Sequence, residues 1–329
     1  MDLTRSGAPR HGALAALGQA TEWINSPPLS ASDLRGRVVL VDFWTYTCIN
    51  WLRTLPHLRA WIDKYGGHGL VVVGVHTPEF GFEHDLRNVR QAIEELQVGF
   101  PVAVDNDYRI WTAYENRYWP ALYVADAAGT IHHHQFGEGG YEEIEAVVQS
   151  LLAETGAAGF GLDPVDPQGA GVEAQADWEN LRSPENYLGF ERTENFASQD
   201  GAALLRRHTY AAPERLQLDQ WALSGDWTIT REAVSLNEPQ GRLSCRFRAR
   251  DLHLVMAPGS PGHPISFQVR IDGERPAAAH GADVDAQGDG TLGRPRLYQL
   301  VRQPDAVAER HFEITFARPG VRAYAFTFG

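Results

Sequence analysis

Cysteine is nearly absent from this chain: 329 residues contain only Cys48 and Cys245. Two thiols exclude a disulfide scaffold and any four-cysteine metal site, and they allow at most one intrachain bridge. Lysine is scarcer still, Lys64 being the single one, and no run of basic residues exists to hold an anionic membrane surface. Asp plus Glu number 42 against 29 Lys plus Arg, a net charge of −13, and both halves of the chain are acidic. That balance excludes a nucleic-acid binder working by phosphate neutralisation. Long apolar runs are missing too. Val38–Val41 and Leu70–Val75 fall far short of the roughly 20 residues that cross a bilayer. The patch Ala13–Leu17 is too brief, and too weakly led by Arg5 and Arg10, for a secretory signal. This favours a cytoplasmic protein without fixing the compartment.

What is present is a globular composition, 43% apolar and 22% charged, with material for about two domains. Val38–Trp44 reads as a buried strand, Ile49–Tyr65 as a helix interrupted by Pro56, and Leu70–His76 as a second strand. A helix over Glu83–Gln97, strands Pro101–Val104, Ala121–Ala125 and Ile131–Phe136, a short helix near Tyr108–Tyr114 and a helix Tyr141–Leu152 complete the region. Alternating strand and helix predicts an α/β domain with a mostly parallel sheet. Residues 156–176, rich in Gly, Ala, Pro and acid, read as a linker. Beyond them come short alternating runs without helices, which predict an antiparallel β-sandwich. The expected organisation is an N-terminal extension over 1–22 that packs loosely, an α/β domain over 23–155, the linker, and an all-β domain over 177–329.

Cys48 sits where a buried strand meets a helix, a place where unpaired backbone N–H groups and the helix dipole favour thiolate over thiol. The competing role is small apolar filler, since cysteine is among the most buried residue types. Asp42, in mid-strand, should be desolvated and so carry a raised pKa suited to moving a proton to or from sulfur. His132, His133 and His134 alternate faces on their strand, so only the outer two could share a metal, and no third ligand is evident. No metal and no cofactor is expected. Glu79, Glu83, Asp105 and Asp107 lie near strand ends without calcium-loop spacing.

The run V-D-F-W-T-Y-T-C resembles the active-site strand of thioredoxin-like proteins of the redoxin and TlpA type. In that family a buried acid lies six residues before the active-site cysteine and a helix proline eight after it, and Asp42, Cys48 and Pro56 occupy those offsets. Trp119–Pro120 matches the family's cis-proline loop, which lies against the reactive sulfur and pairs with bound substrate. Ser183–Phe190, Ala249–Met256 and Arg296–Leu300 resemble the soluble C-terminal region of DipZ-type proteins, where a β-sandwich like a carbohydrate-binding module follows the thioredoxin-like domain. That resemblance implies an extracytoplasmic setting, against the reading from the N-terminus.

One departure stands out. The family motif is Cys-x-x-Cys, and here it reads C-I-N-W, with Trp51 in place of the second, resolving cysteine. A dithiol cycle needs that second thiol to attack the mixed disulfide. Cys48 alone can form a mixed disulfide or a sulfenic acid. Three readings follow: a single-cysteine cycle resolved by an external thiol, a redox-inactive scaffold whose β-sandwich binds glycan or protein, and a thiol peroxidase. The last would use Thr45 to orient peroxide, although Val41 stands where that pattern has proline. The expected substrate is a protein disulfide or a small thiol or peroxide. Catalysis is assigned to Cys48, Asp42 and Pro120. An aromatic and hydroxyl rim of Trp44, Thr45, Thr47, Trp51 and Trp119 is expected to hold substrate, with Trp51 shielding the sulfur. Trp178, Trp221, Trp227 and Tyr298 are the candidates for stacking on sugar.

Overall fold

The computed structural model of the protein describes residues 12–199, 201–260 and 262–329. The chain divides into two compact units, the boundary falling between Ala174 and Gln175. The part of the N-terminal extension before residue 12 lies outside the described residues.

The first unit is built on a six-stranded sheet. Its strands are β1 (Glu22–Ile24), β2 (Val38–Trp44), β3 (Leu70–His76), β4 (Val102–Val104), β5 (Ala121–Ala125) and β6 (Ile131–Phe136), in the order β1-β4-β3-β2-β5-β6. Helices α1 (Ile49–Tyr65), α2 (Leu86–Glu95) and α3 (Arg109–Ala113) connect strands β2 to β5 in turn, and α4 (Tyr141–Glu154) follows β6. β2 is buried at every residue, as its apolar, β-branched sequence demands. The sheet is mixed rather than mostly parallel. β2–β3 and β3–β4 run parallel, whereas β1–β4, β2–β5 and β5–β6 are antiparallel. The turn at Ala128–Gly129 is the cause for β6, because a hairpin can return only antiparallel; Asp126 secures it by accepting from the amides of Ala128 and Thr130.

Three local expectations change. The extension does not pack loosely from residue 12 onward: Ala13–Gln19 forms a 3₁₀ helix whose Leu14 and Leu17 join the core beside Val39, Val41 and Ile131. The helix expected over Glu83–Gln97 breaks in two, because Asp85 accepts from the amide of Arg87 and starts α2 there. The segment read as linker lies against α1 and α4 for much of its length. Glu145 collects Trp61 Nε1, Lys64 Nζ, Tyr65 OH and the amide of Val165, Arg59 pairs with Glu173, and Phe160 meets Tyr65 edge-on.

The second unit is antiparallel throughout its named strands. One layer runs Asp289–Leu292, Ile265–Ile271, Glu309–Phe316, Arg242–Arg248; the other runs Val234–Leu236, Val321–Phe328, Asp251–Pro258, Arg296–Arg302. Trp221–Ile229 belongs to both, its first half pairing with Arg242–Arg248 and its second with Val234–Leu236. The crossover is at Gly225, whose φ of 97° is closed to most side chains and which a Cβ would press against Gly241 at 3.2 Å. Trp221, Trp227, Phe247, Phe267, Phe312 and Phe316 fill the space between the layers.

Candidate functional site

Cys48 is the N-cap of α1, its φ and ψ of −77° and 112° leaving it extended while Leu52 already donates to its carbonyl at 3.0 Å. The side chain is partly exposed, and among the described residues neither cysteine is in a disulfide. No acidic residue stands in the first turn of α1 to oppose an anion at its mouth. Sγ contacts the carbonyl oxygen of Trp119 at 3.7 Å. The Trp119–Pro120 peptide bond is cis. Trp119 is half-buried, and its indole nitrogen donates to the carbonyl of Thr77 at 3.0 Å, fixing the ring against the end of β3.

Trp51 does not form a rim. It is fully buried and stacks on the equally buried Trp44, with ring centroids 4.3 Å apart and planes 23° from parallel. Position 51 follows Cys48 by almost one helical turn, yet the indole turns inward beneath the helix because a polar partner waits there. Its Nε1 donates to Asp42 Oδ2 at 2.8 Å. Trp44 in turn fits only over Gly74 of β3, where a Cβ would lie 2.7 Å from the Trp44 indole nitrogen and 2.8 Å from Phe100. Thr45 and Thr47 are likewise buried, so neither can meet substrate at the sulfur as a peroxide-orienting hydroxyl or as part of a rim. Of the expected rim only Trp119 keeps a surface beside Cys48.

Asp42 is fully buried, and desolvation pushes its carboxyl up to about 7 against the opposing pull of the Trp51 N–H. Among the described residues its Oδ1 has no hydrogen-bond partner. Trp51→Phe would keep the stack on Trp44 and remove the donor. Unfolding in urea should then show a loss of about 1–3 kcal/mol above pH 7, where the carboxyl is ionised, and a smaller loss at pH 5.

Sequence reasoning missed a second buried acid. Glu83 Oε1 accepts from Thr47 Oγ1 at 2.6 Å, and Oε2 accepts from the amides of Glu79 and Phe80 at 2.6 and 2.9 Å. Burial pushes its carboxyl up to about 7, opposed by the hydroxyls of Thr45 and Thr47. Glu83 thus ties the loop after β3 to the residue preceding Cys48. A single glutamate at the expected start of a helix gives no sequence signal of this; only its packing does. His76, at the end of β3, is buried between Trp44 and Tyr46, and burial holds its imidazole down at about 3, so it is neutral. The histidines of β6 build no common site: His132 pairs with Asp126 at 2.7 Å, His133 is buried, and His134 lies beside Phe136. Among the described residues no group of three His, Cys, Asp or Glu is placed to hold a metal ion, and no helix is long and apolar enough to cross a membrane.

Comparison with known proteins bears on both units. Residues 20–134 match the AhpC/TSA family and residues 183–329 the family described as a thioredoxin-like C-terminal domain. The thiol-disulfide oxidoreductase YkuV of Bacillus subtilis is 32% identical over 133 residues, covering 89% of that protein and 40% of this chain. The chain belongs to the thioredoxin-like family. Protein DipZ of Mycobacterium tuberculosis is 33% identical over 316 residues, 94% of this chain, and the chain spans 42% of that protein's length. A thioredoxin-like protein solved in its oxidized form is similar at 32% identity and a TM-score of 0.38, covering 41% of this chain and 90% of that one.

In the second unit the thioredoxin-like chain offers little for sugar to stack on. Trp221, Trp227 and Tyr298 are buried in the β core, and only Trp178, 58% exposed, remains of the four candidates. The volume of an indole or phenol fills a sandwich interior more favourably than it decorates a surface.

Proposed function

We propose that this thioredoxin-like protein carries out thiol–disulfide exchange through one sulfur. The Cys48 thiolate attacks one sulfur of a substrate disulfide. A Cys48–substrate disulfide forms, the substrate's own S–S bond breaks, and its second sulfur leaves with the electron pair as a thiolate. An external thiol then attacks the mixed disulfide and returns Cys48 to its reduced state. The observation that carries this reading is the pairing of a partly exposed Cys48 at the helix mouth with a fully buried Trp51 at the position where a resolving thiol would stand. Asp42 enters as the buried acid beneath α1, able to hold or release a proton near neutral pH. Pro120, buried beside Trp119, shapes the loop that faces the sulfur.

The test is a count of thiols. Cys245 is buried and desolvation raises its thiol well above the ordinary range, so it should be silent in the folded protein. Iodoacetamide is expected to label the native protein once, at Cys48, and the denatured protein twice. A disulfide-bonded substrate should be trapped on the native protein and on Cys245→Ser, and not on Cys48→Ser. Native protein that takes no label at Cys48 would remove the exchange reading.

A further inference from the structure

We infer that the surface leading away from Cys48 selects polypeptide substrates bearing a large aromatic side chain close to the reacting cysteine. The inference rests on the exchange reading above and names the substrate class for that site.

Trp119 links the sulfur to a ledge of rings. Its carbonyl meets Cys48 Sγ at 3.7 Å, and its indole lies on that of Trp111 with centroids 4.3 Å apart. Trp111 meets Tyr108 at 6.4 Å, and Tyr108 meets His84 at 6.4 Å. These four belong to three separate elements: the cis-proline loop, the start of α3 and the loop before α2. Each keeps exposed surface, whereas Trp44, Trp51 and Trp61 of the same unit are fully buried.

Buried groups hold the ledge in place. Asp105 accepts from the amides of Ile110 and Trp111 at 2.9 and 2.8 Å and from Thr77 Oγ1 at 3.3 Å, which pins the first turn of α3. The carbonyl of the same Thr77 receives the Trp119 indole. Phe43 of the core supports Trp111 edge-on at 5.9 Å. Rings anchored this firmly lose little side-chain entropy when a ligand covers them.

The steps from Trp119 to Trp111 to Tyr108 cover the length of about three extended residues. A small disulfide at Cys48 is too short to span that length. An extended chain joined through its cysteine has side chains two residues away on the same side, and these fall over the indoles. Offset stacking then adds to the area removed from water.

The experiment uses the full chain and cysteine peptides capped as thionitrobenzoate disulfides, differing only in having tryptophan, glycine or aspartate two residues on either side of the cysteine. Cys48 attacks the peptide sulfur, the Cys48–peptide bond forms, and thionitrobenzoate leaves with the electron pair and is counted by absorbance. Rates are divided by the rate with dithiobisnitrobenzoate, which corrects for intrinsic thiol reactivity. The tryptophan peptide is expected to react about tenfold faster than the glycine peptide. Trp111→Ala should bring that ratio near one, and Trp111→Phe should restore most of it. Equal rates for the three peptides, or a ratio that Trp111→Ala leaves intact, would overturn the assignment while exchange at Cys48 stands. Failure of Cys48 to react with dithiobisnitrobenzoate would overturn the exchange reading and this inference together.

Discussion

Trp51→Cys is expected to turn a single-cysteine site into a dithiol one, and the gain should be visible as faster reduction of insulin by the variant with dithiothreitol than by the parent, whose Cys48–insulin disulfide must wait for dithiothreitol itself to resolve it. Position 51 lies in the first turn of α1, close to the Cys48 that caps it. A thiol there could attack the sulfur of a Cys48–substrate disulfide and release product without an external partner. The same substitution empties the space beside Trp44 and takes away the donor to Asp42. A loss of about 3–5 kcal/mol is expected in the reduced variant, the range for truncating a buried Trp or Phe. Oxidation of the variant to a disulfide between positions 48 and 51 should return only part of it, since the closed loop is short. A folded variant that forms no bond between those positions, and turns over no faster than the parent, would show that the helix mouth no longer holds the dithiol geometry.

Asp42→Asn should stabilise the protein, with a dependence on pH that identifies the cause. The Asp42 carboxyl is raised from 3.8 to about 7 in the fold, so between those values the folded state binds a proton that the unfolded state has released. Stability attributable to Asp42 is therefore highest below pH 4, falls as pH climbs toward 7, and levels off above. Asparagine keeps an oxygen for the Trp51 N–H and never ionises. The variant should match the parent near pH 4 and exceed it at pH 8 by roughly 2–4 kcal/mol, following the 1.36 kcal/mol carried by each pKa unit. Glu83 is raised by burial in the same way, so the variant should retain part of the alkaline decline. Equal stability of parent and variant at pH 8 would mean that water reaches Asp42.

Much of this was legible in the sequence, and the legible parts have a common physical cause. V-V-L-V-D-F-W and L-V-V-V-G-V-H are buried on both faces, so their apolar runs announce them, and α1 follows from its helical spacing. Strands Arg207–Tyr210 and Asp289–Leu292 carry no such signal, because each is largely exposed and has no alternating apolar face. The continuity of Trp221–Ile229 is hidden in the sequence because Ser224, Gly225 and Asp226 interrupt the apolar residues at the crossover. At the site, the offsets of Asp42, Cys48 and Pro56 are written in the chain. The direction of the Trp51 ring is not, because it depends on a carboxylate nine residues back and on a glycine in the neighbouring strand. Trp111 gave no signal for the same reason: its place beside Trp119 is set by the grip of Asp105 on α3.

The bare backbone of Gly74 governs how far position 51 can change alone. Trp44 lies against that glycine and Trp51 lies over Trp44, so the room each indole occupies is shaped by the next member of the pile. Position 51 is thus tied to its neighbours: a thiol there supplies the missing chemistry but leaves a void beside Trp44 and takes the donor from Asp42, so full stability returns only when strand, helix and buried acid are refitted in concert.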